Sequence, residues 1–266
     1  MPSIQPIADI VRRAGDRAAR AQQDYAFADR RYKHDGSVVT DVDFAVEDEL
    51  CAGISEHMPD AALVTEERAR DARADAPYTF VIDPVDGTDN FSNGMPLWNV
   101  AVGVLDAAST PCAGIVYAPA LGLMLQADFD RGLSCNGEPL PRAPAVETVD
   151  GLSSLMISSR VPQRFDLTAY PGKVRALGSA ALHVVMPAVY PSVVGVLQEE
   201  NIFAWDVAAA HAILRAAGCE LAYLDGAELD YAAMRTDGWR LQGLLLGGKP
   251  GAVPILRRQC RPVVGS

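Results

Sequence analysis

Paired cysteines and positive charge are both scarce in this chain. Its five cysteines (Cys51, Cys112, Cys135, Cys219 and Cys260) are odd in number and scattered, with no C-x-x-C pair. That pattern points away from a disulfide framework or a zinc site, and toward small buried thiols in a reducing compartment. Lys and Arg number 23 against 34 Asp and Glu, a formal net charge of -11. Nucleic-acid backbones and anionic membranes call for clustered cations, so neither is expected as a direct partner. Long apolar runs are missing too. The longest, about Ala180 to Leu197, is interrupted by His183, Pro187 and Pro191 and does not suit a bilayer span. Met1 to Ala21 carries charges throughout where a secretion signal needs an apolar centre, so a cytoplasmic location is expected. Neither internal repeats nor low-complexity tracts occur.

Apolar residues make up 49% of the 266 and charged residues 21%, enough for one large globular domain or two closely fused lobes. Ile4, Ile7, Val11, Ala14 and Ala18 recur at helical spacing. A second helix is expected from Asp41 to Met58, with a stripe of Val42, Val46, Leu50, Ile54 and Met58, ended by Pro59-Asp60. Asp43 falls outside that stripe and so need not be buried. Strands are expected at Tyr78 to Ile82, Trp98 to Leu105, Ala113 to Tyr117 and Leu121 to Ala127, a succession that suggests antiparallel hairpins. Past a Pro- and Ala-rich seam at Pro139 to Val149 the pattern alternates. Leu155 to Ser158, Leu221 to Leu224 and Leu241 to Leu246 read as strands, and Asp206 to Ala217 as a helix stopped by Gly218. The chain thus divides into an α+β half, residues 1–145, and an α/β half, residues 146–266.

Four acidic segments carry the possible chemistry. Asp83-Pro84-Val85-Asp86-Gly87-Thr88 starts where a strand ends. Its two carboxylates can converge on one point, where they repel unless a proton or cation lies between them. Oxygen ligands without nearby His or Cys favour magnesium or manganese over zinc. Gly87 lets the backbone approach a ligand, and the Gly87 and Thr88 amides open a helical turn that suits a phosphate. An ordinary β-turn explains the same residues. Glu66-Glu67 follows the apolar Ala62-Leu63-Val64, and reads equally as a solvated charge run. Asp206 sits where an N-cap would explain it. Thr40 and Asp43 have the spacing of a capping box, although a positioned carboxylate there also suits a general base.

Together, K-x-D-G-S-x-V-T-x-x-D at Lys33 to Asp43, E-E at Glu66-Glu67, D-P-V-D-G-T at Asp83 to Thr88 and W-D-x-A-A at Trp205 to Ala209 resemble the inositol monophosphatase family. The resemblance implies a layered α-β-α-β-α sandwich and a magnesium-dependent, lithium-sensitive phosphatase that uses a metal-activated water without a phosphoenzyme. It implies more than one Mg2+ ion, with Mn2+ as a substitute. Glu66, Asp83, Asp86 and Asp206 would be side-chain ligands and Val85 a carbonyl ligand. Asp43 and Thr88 would orient the water, and the Gly87 and Thr88 amides would hold phosphate. Gly178, Ser179, Ala180 and Glu199 would contact the organic part of a small phosphorylated metabolite. A homodimer is expected on the same grounds. The family commonly has Gly before its paired glutamates; here that residue is Thr65. His34, His57, His183 and His211 match no catalytic position. Inositol monophosphate is the default substrate. The Gly94 to Trp98 run also looks like histidinol phosphatases, and fructose 1,6-bisphosphate and adenosine 3',5'-bisphosphate are handled by further relatives.

Overall fold

The computed structural model describes residues 3–24, 31–32, 38–68, 73, 75–128, 130–199 and 202–263. Lys33, His34, Asp35, Gly36 and Ser37, the first part of one sequence motif, lie outside the described residues. Helix α1 (Gln5–Asp24) buries Ile7, Ile10, Val11, Ala14 and Ala18 along one face. Strands β1 (Arg31–Tyr32) and β2 (Val38–Val39) pair antiparallel, and α2 (Asp41–His57) follows. Then come β3 (Ala62–Thr65), β4 (Tyr78–Asp86), the short α3 (Thr88–Ser92), β5 (Asn99–Asp106), β6 (Pro111–Ala118), β7 (Leu123–Asp128), β8 (Gly132–Cys135) and β9 (Glu138–Leu140). These seven strands make one sheet in chain order, with β3 parallel to β4 and every later pair antiparallel.

The second half holds β10 (Ser154–Ile157), α4 (Val161–Arg164), β11 (Phe165–Asp166), β12 (Lys173–Arg175), α5 (Ala180–Val189), β13 (Val193–Gln198) and α6 (Ala204–Ala217). It ends with β14 (Glu220–Tyr223), α7 (Tyr231–Thr236), β15 (Leu245–Gly248), α8 (Ala252–Gln259) and β16 (Arg261–Pro262). A five-stranded mixed sheet runs β12-β10-β13-β15-β14. Alternation along β5 explains the layering. Val100, Val102 and Val104 face α1 and α2, whereas Ala101 and Leu105 face the core that contains α5 and α6. That central core continues onto Met156, Val193 and Val196 of the smaller sheet, whose other face packs on α8 through Val194, Leu246 and Leu256. The result is the α-β-α-β-α sandwich. Among the described residues, no helix is long and apolar enough to cross a membrane.

The structure revises several sequence-based boundaries. A 3-10 turn, Pro119–Leu121, precedes β7, which therefore begins at Leu123 and not Leu121. The last expected strand starts at Leu245 and not Leu241, because the Leu241 N–H pairs instead with Ile202 O beside an isolated Phe203–Arg240 bridge. Asp43, which need not have been buried, is buried. Helix α2 buries Asp43, Val46, Glu47, Leu50 and Ile54, while Val42 is only half-buried. Two carboxylates thus share the face that meets the rest of the protein. All five cysteines are free; Cys219 and Cys260 are buried and the other three half-buried.

Candidate active site

Strand β4 runs through the first acidic segment and does not stop before it. Its ladder with β5 pairs Asp83 with Ala101 and next pairs Asp86 with Asn99, so Pro84 and Val85 together oppose Val100. Pro84 has no N–H to give the ladder, and a bulge accommodates it there. Residues three apart on a regular strand face opposite sides; the extra residue turns Asp83 and Asp86 to the same side. The Val85 N–H donates to Asp83 Oδ1 at 3.1 Å and holds that carboxylate at the bulge.

Helix α6 delivers the third carboxylate. An N-cap would have explained Asp206, but the helix begins at Ala204, and Asp206 is the third residue of its first turn, accepting the Phe203 N–H at 2.6 Å. Close packing sets the position of the helix. A Cβ added to Gly103 would lie 2.7 Å from Ala208 Cβ, and one added to Gly114 only 2.3 Å from Ala209 O. The small residues on both surfaces therefore let α6 rest directly on the large sheet. Asp83, Asp86 and Asp206 each bring an oxygen into a group whose members all lie within 4.8 Å of one another.

Asp86 accepts four hydrogen bonds. Its Oδ2 accepts from Asn99 Nδ2 at 2.7 Å, from the Ala181 N–H at 2.8 Å and from the Ser179 hydroxyl, and its Oδ1 accepts the Ala180 N–H at 3.0 Å. Ser179 also caps α5 by accepting the Leu182 N–H at 3.2 Å. An anion at this helix start is favoured by the orphan amides and the helix dipole. Burial pushes the Asp86 carboxyl up from its ordinary range, and the bonds from Ser179, Asn99, Ala181 and Ala180 oppose that shift.

Asp43 occupies a second acidic position. Its Oδ2 accepts both the Thr40 N–H at 2.9 Å and the Thr40 hydroxyl at 2.6 Å, completing the capping box of α2. Its Oδ1 lies 3.1 Å from Thr88 Oγ1, which is also 2.9 Å from the Val85 carbonyl oxygen. One hydroxyl proton serves one of these acceptors at a time. Burial pushes the Asp43 carboxyl up to about 6, helped by the nearby Glu66 charge and opposed by Thr40 and Thr88. The same carboxylate thus caps α2 and meets Thr88.

Turn geometry accounts for the glycines. Gly87 has φ of +92°, and an added Cβ would stand 3.1 Å from Leu97 O. Gly178 has φ of +81°, and its missing Cβ leaves room for the Asn90 amide, which donates to Leu97 O at 2.6 Å and Leu177 O at 2.7 Å. The buried His183 holds the same turn: its Nε2 accepts the Leu177 N–H at 2.7 Å, with Nδ1 3.3 Å from Gln198 Oε1. Burial pushes the His183 imidazole down to about 4, so it stays neutral and able to accept.

Three carboxylates so close together need a counter-charge, and an all-oxygen donor set without His or Cys suits Mg2+. The residues present fit such an ion. Comparison with known proteins then decides the family. The model of the inositol monophosphatase family matches residues 4–242. This chain belongs to the inositol monophosphatase family. The inositol-1-monophosphatase of Mesorhizobium japonicum is 29% identical over 204 residues, covering 74% of this chain and 76% of that protein. The histidinol-phosphatase of Mycobacterium tuberculosis is 30% identical over 205 residues, 73% of this chain and 77% of its own. The inositol monophosphatase structure from Thermotoga maritima superposes with a TM-score of 0.78 at 21% identity, covering 95% of each chain.

As an inositol monophosphatase family member, the chain is a phosphoric monoester hydrolase. Its expected site residues are distributed as follows around this centre. Asp83, Asp86 and Asp206 meet, and Asp43, Thr88 and the Val85 carbonyl make a contiguous group beside Asp83. Glu66 stands outside the close trio, near enough for its charge to act on Asp43. Ser179 and Ala180 are bonded to Asp86, and the Glu199 N–H donates to Ser158 Oγ at 2.9 Å at the end of β13. Asn99 and Asn90 were missed, because a lone Asn in a strand or a short helix carries no sequence signal; His183, which matches no catalytic position, is buried and structural.

Proposed function

We propose that the chain hydrolyses a small phosphate monoester resembling inositol 1-phosphate, with Mg2+ as cofactor and water as nucleophile. The convergence of Asp83, Asp86 and Asp206 from two separate elements carries this reading. Glu66 and the Val85 carbonyl complete the proposed ligand set, which would serve more than one ion; Mn2+ is the expected substitute and Li+ the expected inhibitor. When bound, magnesium supplies positive charge that offsets the phosphate oxygens and makes water more acidic.

The chain's own residues supply position and proton handling. Asp43 Oδ1 and Thr88 Oγ1 lie side by side and together can orient a water, with Asp43 taking its proton. A carboxyl pushed up to about 6 is better matched to that task near neutral pH than an ordinary one. The Gly87 and Thr88 amides, at the start of α3, would hold the phosphate oxygens. Gly178, Ser179, Ala180 and Glu199 would border the organic part. Since the Ser179 hydroxyl and Ala180 amide already serve Asp86, their contribution there is shape. The lobes 1–145 and 146–266 would thus meet at the centre, in a cytoplasmic homodimer.

The second reading is histidinol phosphate as substrate, favoured by the 30% identity to the histidinol-phosphatase. A panel of phosphomonoesters ranked by kcat/KM, with and without Mg2+, separates the readings. Inositol 1-phosphate leading the ranking supports the first. Histidinol phosphate leading supports the second. No Mg2+-dependent phosphate release from any ester would remove both and leave a non-catalytic regulatory binding protein.

A further inference from the structure

Besides Asp43, helix α2 buries one more carboxylate that none of these roles uses. Glu47 is 2% exposed. It stands four residues after Asp43, so both side chains lie on one helix face. Glu47 Oε2 accepts the Glu67 N–H at 3.0 Å, and Arg68 Nε is 3.5 Å from Glu47 Oε1. Arg68 then grips α2 again: its guanidinium donates to Phe44 O at 2.9 Å, pairs with Asp48 at 2.8 Å and lies 5.0 Å over the Phe44 ring. The Arg68 N–H donates to Thr65 Oγ1 at 3.3 Å and closes the turn. On its other side the Glu66 N–H donates to Ile82 O of β4 at 3.1 Å. Glu66 is therefore held between two anchors, β4 through its own amide and α2 through the amide of the next residue.

A buried carboxylate costs desolvation that hydrogen bonds only partly offset, and an apolar side chain of similar size would avoid it. Fold stability alone therefore does not account for Glu47. We propose that Glu47 is a positioning residue for the phosphatase reaction: by holding Glu67 N–H and Arg68, it fixes the Glu66 carboxylate at the metal centre. Helix α2 thereby sets the separation of Asp43 and Glu66 from one rigid element. The inference rests on the reading of Glu66 as a metal ligand.

The test is calorimetric titration of Mg2+ into the full chain without substrate, with the thermal unfolding midpoint of each metal-free variant alongside. Glu47→Leu should weaken Mg2+ binding on the order of ten-fold, as loss of a ligand's supporting group does, without lowering the midpoint. Glu47→Gln, which keeps an acceptor for Glu67 N–H, should restore most of the affinity. Native Mg2+ affinity in Glu47→Leu overturns the proposal, as does a Gln variant as weak as the Leu one. Should the Leu variant not fold, Arg68→Met decides: weaker Mg2+ binding at an unchanged midpoint supports the clamp, and unchanged binding overturns it. Glu66→Gln separates the two layers of argument. If it binds Mg2+ as the native chain does, the reading of Glu66 as a ligand fails rather than the clamp.

Discussion

The hydroxyl of Ser179 donates to the carboxylate of Asp86, joining the bulged end of β4 in the large sheet to the first turn of α5 beneath the small one. One side chain from each half of the chain therefore shares a buried bond at the acidic centre. Asn99 supplies another donor to the same oxygen from the neighbouring strand β5.

The first prediction follows from that bond. Ser179→Ala removes a hydroxyl from a buried carboxylate and the N-cap from α5 at once. Loss of a charged hydrogen bond and a cap should lower stability by about 1–3 kcal/mol. Urea unfolding of the metal-free chain measures it. An unchanged midpoint would show that the remaining donors to Asp86 compensate in full.

Asp83→Asn should split activity from stability. The change removes one charge from the three-carboxylate group, so phosphate release should fall by orders of magnitude. The metal-free protein should gain, because like charges are separated: about 1 kcal/mol, or about 2 °C in Tm. Adding Mg2+ should raise the Tm of the native chain and raise that of the variant less. Phosphate release and thermal melts with and without Mg2+ check all three statements.

Residue pattern made the four acidic segments legible because each combines a carboxylate with a structural cue: a proline turn after a strand, a short apolar run, a Thr-x-x-Asp cap, an Ala-rich helix. What stayed hidden depended on three-dimensional register. The bulge that turns Asp83 and Asp86 to one side is a property of pairing with β5, which no local pattern contains. Asp43 fell outside the apolar stripe because the Val42 to Met58 positions were read at strict four-residue steps; the buried face in fact rotates toward Asp43 and Glu47. Asp206 resembled a cap because Asp favours helix starts, yet the helix begins two residues earlier, with Phe203 N–H as the group it satisfies.

The buried imidazoles give a pH prediction. Burial pushes both His183 and His211 down to about 4, from an ordinary 6.5. The unfolded chain thus takes up protons before the folded one. Stability from each is complete above about 6.5 and is lost as pH falls toward 4, by up to about 1.4 kcal/mol per unit. Asp43, raised to about 6, acts in the opposite sense, losing stability as pH rises, so the total slope mixes signs. A difference measurement isolates one group. His211→Phe leaves the Tyr231 hydroxyl, 3.1 Å from Nδ1, without that partner, which is a pH-independent offset. Relative to the native chain, the variant should gain stability steadily between pH 6.5 and 4, in parallel urea titrations. A constant difference would mean that His211 is not neutral in the fold.

Packing between α6 and the large sheet gives the last prediction. Gly114→Ala would place a methyl group 2.3 Å from Ala209 O, a backbone atom that can yield only if the helix moves. Overpacking of this kind costs about 1–3 kcal/mol. The cost has a direction: the helix is pushed off the sheet at the turn that follows Asp206, and its carboxylate moves with it relative to Asp83 and Asp86, which belong to the sheet itself. Gly114→Ala should therefore weaken Mg2+ binding as well as lower Tm, although Gly114 lies on β6 and touches no acidic residue of the trio. Leu214→Ala, in the same helix but two turns from Asp206, creates a cavity in place of a clash and pushes nothing outward. It should lower Tm by a comparable or larger amount while leaving Mg2+ affinity near the native value. Equal losses of Mg2+ affinity in both variants would show that general destabilisation, and not displacement of Asp206, governs the centre.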